Sequence, residues 1–71
     1  MAVDPVRVTP HRCFETSTGE QRLILKITDN ETVVYVRREN ADAAWQKTTH
    51  TPARHSFAST VDREIDAPPY P

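Results

Sequence analysis

Four residues have side chains that together could hold a transition metal: His11, Cys13, His50 and His55. On a strand, His11 and Cys13 would project from one face, and His50 and His55 have four residues between them, a spacing found in structural zinc pairs. Three imidazoles and a thiolate would complete a tetrahedron. A set with one thiolate is nevertheless unusual for structural zinc, and three histidines in 71 residues need no special explanation. The expectation is therefore surface histidines, a half-buried inert Cys13 and no cofactor.

The same residues, with the carboxylates, are all the chain offers for catalysis. One glycine in the whole sequence leaves no Gly-rich phosphate loop, and there is no Gly-x-Ser-x-Gly, Walker-type lysine or paired-histidine metalloprotease pattern. A chain this short also struggles to enclose the few hundred cubic ångströms that ligand sites usually need. The reading is that this is not an enzyme.

Binding chemistry is better represented. Arg22, Lys26, Tyr35, Arg37 and Arg54 form a basic-aromatic set of the kind on which single-stranded bases stack. Nine Lys and Arg against ten Asp and Glu give a net charge of -1, which is not the balance of a phosphate-backbone binder. Nucleic-acid regulation is thus the alternative. The leading expectation is a protein-binding or regulatory module that uses Tyr35, Arg37 and Arg38 along an exposed strand edge, and self-associates as a homodimer or takes another protein.

These residues need elements to position them. "RLILKITDNETVVYVRR" (22–38) reads as two apolar runs around a turn. With Asp29 and Asn30 as a two-residue turn, Leu25 faces Val34 and Leu23 faces Val36, which gathers Leu23, Leu25, Ile27, Val34 and Val36 on one face. A three-residue loop would set Leu23 against Arg37 and is disfavoured. A loop over Ser17–Glu20 places Phe14 opposite Leu23 and Glu15 opposite Arg22. The result is a three-stranded antiparallel meander over about 11–16, 22–28 and 32–38, its opposite face carrying Arg22, Ile24, Lys26, Val33, Tyr35 and Arg37.

The apolar face needs a lid. Asn40 before an alanine-rich stretch predicts a short helix near 41–47 carrying Trp45. Thr51, Pro52 and the spacing by fours of Ala53, Phe57, Val61 and Ile65 predict a C-terminal helix near 52–65; the same spacing suits a strand, and an all-β fold follows if 57–65 is extended. The fold class expected is α+β in one small domain over 1–71, with an extended Pro-containing arm over 1–10 and a frayed Pro-rich tail over 66–71. A lone cysteine and the lack of a secretory leader or long apolar stretch favour a cytoplasmic location and no membrane contact.

Overall fold

A computed structural model describes residues 3–67. Much of the tail expected over 66–71, and residues 1 and 2 of the arm, lie outside the described residues. Among the described residues the fold is α+β, built from strands β1 (Cys13–Glu15), β2 (Gln21–Ile27), β3 (Val33–Arg38) and β4 (Arg63–Ile65), with one helix, α1 (Arg54–Thr60), and a single 3-10 turn at Pro5–Arg7.

All pairings are antiparallel and the sheet order is β3-β2-β1-β4. Three hairpin-linked strands and a fourth that returns beside the first make a Greek key rather than the expected meander. The chain reaches β4 by crossing from one margin of the sheet to the other, and α1 lies in that crossing.

Both hairpins close through the same kind of loop. Thr16 N–H donates to Glu20 O and Gly19 N–H to Thr16 O, leaving Ser17–Gly19 as a three-residue loop; Thr28 N–H donates to Thr32 O and Glu31 N–H to Thr28 O, leaving Asp29–Glu31. The third loop residue is left-handed in each, Gly19 at φ 93° and Glu31 at φ 61°, the pattern of a three-residue hairpin with a bulge-forming last position.

Loop length decides which residues face inward, because a shift of one residue turns a strand over. The shorter first loop pairs Phe14 with Arg22 and Cys13 with Leu23, one step from the expected register. In the second hairpin the three-residue loop pairs Ile27 with Val33 and Lys26 with Val34, and a bulge between Ile24 and Lys26 then restores Leu23 opposite Val36. The conflict that disfavoured a three-residue loop is thus removed by one extra residue in β2.

The consequence is two cores instead of one. Val8, Phe14, Ile24, Val33, Tyr35, Phe57, Ala58 and Val61 form the larger, with Ile27 packed on it. Phe57 is its keystone, meeting the rings of Phe14 and Tyr35 edge-on at 5.6 and 5.0 Å. Cys13, Leu23 and Val36 form the smaller on the other face, joined by half-buried Leu25, Trp45 and Ile65. The face expected to be wet, with Ile24, Val33 and Tyr35, is therefore the main core. Phe14 and Ile27 belong there rather than with Leu23 and Val36.

The expected helices change for local reasons. Near 41–47 there is no helix: the Asn40 side chain accepts from Asp42 N–H at 2.9 Å and its carbonyl from Ala43 N–H, so Asn40 starts a turn instead of capping a helix. The expected helix at 52–65 stops at Thr60. Ser59 and Thr60 return their hydroxyls to the carbonyls of Ser56 and Phe57, and the β-branched Val61 is extended at φ -107°, ψ 153°. Phe57 and Val61 face the larger core while Ile65, now in β4, joins the smaller.

The N-terminal segment is docked. Asp4 caps the 3-10 turn through Val6 N–H at 3.0 Å, Val3 N–H donates to Ala58 O, and Val8 is fully buried.

Candidate functional site

The strand expected to offer an open edge, 32–38, does not have one. Residues 46–54 run along β3 as a strap: Tyr35 and His50 exchange backbone hydrogen bonds, Val33 N–H donates to Pro52 O, Arg54 N–H to Glu31 O and Gln46 N–H to Arg37 O. The margin is already occupied by the chain's own backbone. At the opposite margin β4 has three residues, and Arg63 and Glu64 are tied by side-chain ion pairs to Glu15 and to Arg7 and Arg12. Shortness and charge are the usual protection of such an edge.

Tyr35 is buried, and its ring meets His50 in a stack at 5.2 Å, Phe57 at 5.0 Å and the Arg22 guanidinium at 5.4 Å. Those contacts fill the faces a base would need. Arg22, with 16% of its side chain exposed, also binds Glu20 and Thr60. Arg37 donates to Glu20 at 2.9 Å and to Gln46 at 3.2 Å, and Arg54 pairs with Glu31. Lys26 is exposed on the other side of the sheet, beside Val34. The five members of the basic-aromatic set are therefore not gathered on one open surface.

Among the described residues every arginine except Arg38 is in an ion pair with a glutamate. Arg38 instead donates through Nε to Gln21 at 2.8 Å and lays its guanidinium over the Trp45 ring at 4.4 Å. Trp45 packs on Cys13, Leu23 and Val36, so the outer sheet face carries a half-exposed indole and guanidinium pair beside half-buried Leu25, Val34 and Ile65. Arg38 was named from the sequence as a contact residue together with Tyr35 and Arg37; of the three, it is the one whose guanidinium lies against Trp45. Trp45 was expected in a lid, and its position outside a helical period, in a stretch of small and polar residues, is the signal that it anchors a loop.

The four candidate metal ligands do not converge. His11 sits at φ 68° and shares Ile24 with Arg12, its N–H donating to Ile24 O while Ile24 N–H donates to Arg12 O. This bulge breaks the alternation that would have set His11 and Cys13 on one face. His50 is in the strap, with β2 and β3 both lying between it and β1, and His55 is exposed on α1. Among the described residues no three His, Cys, Asp or Glu cluster as a metal site. Cys13 is completely buried, and burial pushes its thiol up to about 11, so the nucleophilic thiolate is suppressed.

Among the described residues no helix is long and apolar enough to cross a membrane. Comparisons with protein-family models, curated proteins and solved structures give no match.

Proposed function

We propose that this chain is a non-enzymatic protein-binding module, regulatory in character, whose contact surface is the outer sheet face around Trp45 and Arg38. The observation that carries this reading is the stacked Trp45 and Arg38 pair at 4.4 Å, half-exposed over a small apolar core. Trp and Arg are the side chains that most often dominate binding energy at interfaces, and Leu25, Val34 and Ile65 supply the surrounding apolar contact. The contact surface moves from the β3 edge to this face because residues 46–54 occupy that edge. Glutamate pairing of the arginines counts against the nucleic-acid alternative, since phosphates would have to displace those partners.

The test compares proteins captured from nuclease-treated lysate by the wild-type chain and by Trp45→Ala, with sedimentation of each alone. Trp45-dependent recovery of a protein, or Trp45-dependent dimerisation, is the expected result. Identical recovery by both chains, together with monomeric sedimentation of both, overturns the reading.

A further inference from the structure

We draw no further inference here: the strongest candidate, the recess at the end of the sheet where β2 begins and β3 finishes, lined by Glu20, Arg37, Arg38, Glu39 and Gln46, balances its own charges, and nothing in the structure shows what would occupy it.

Discussion

Cys13 shows how far a fold can remove a reactive group from chemistry. The thiol is fully buried between β2 and β4, and desolvation raises it from 9.0 to about 11. A folded thiol that holds its proton to higher pH than the unfolded one gives a stability contribution that is intact below about pH 9 and lost as pH rises toward 11. Urea denaturation should show wild-type stability falling more steeply over that window than Cys13→Ala, by on the order of 1 kcal/mol at about pH 10. Glu31 makes the opposite case, a residue the fold holds at a cost. At φ 61° it occupies a position that suits glycine, and its ion pair with Arg54 joins a Glu31 side chain that is 66% exposed, where such a pair adds little. Glu31→Gly should therefore raise stability by about 0.5–1 kcal/mol in denaturant titrations.

At the scale of elements, the apolar runs in β2 and β3 were legible because β-branched and aliphatic residues cluster between turn formers. The face each residue takes was not, because it depends on loops that differ by one residue. Asp29 and Asn30 look like a two-residue turn, yet Glu31 adopts a left-handed conformation that a bulky acidic residue rarely enters, and the bulge at Leu25 then compensates. β4 was hidden for another reason: Phe57, Val61 and Ile65 fit one helical stripe, and the break after Thr60 comes from hydroxyls turning back on the helix. The Trp45 and Arg38 pair joins a loop to a strand and has no period at all. The strap over 46–54 was equally invisible, since backbone bonds carry it. His50→Pro removes the N–H that donates to Tyr35 O at 2.9 Å; it should cost about 1–3 kcal/mol and speed hydrogen exchange at the Tyr35 amide, read by NMR.

For the molecule as a whole, the accessible surface is 4584 Å², against about 4,500 Å² for a folded monomer of this mass. The fold therefore buries its expected share without a second chain, and a partner on the Trp45 face would add an interface, not complete a core. Ion pairs close the margins. Burial raises Glu64, but hydrogen bonds and charge from Arg12 and Arg7 outweigh it and hold its carboxyl below the ordinary 4.5. That contribution is present above about pH 4.5 and lost as pH falls further, so Glu64→Gln should flatten acid unfolding followed by circular dichroism. The route of the chain has one more effect. The exposed turn at Asn40–Asp42 separates a front piece holding β1, β2 and β3 from a rear piece whose strap grips β3 while β4 grips β1. Cleavage there would leave two complementary fragments that clasp each other from both flanks, and a nicked sample should still co-elute as one species in gel filtration.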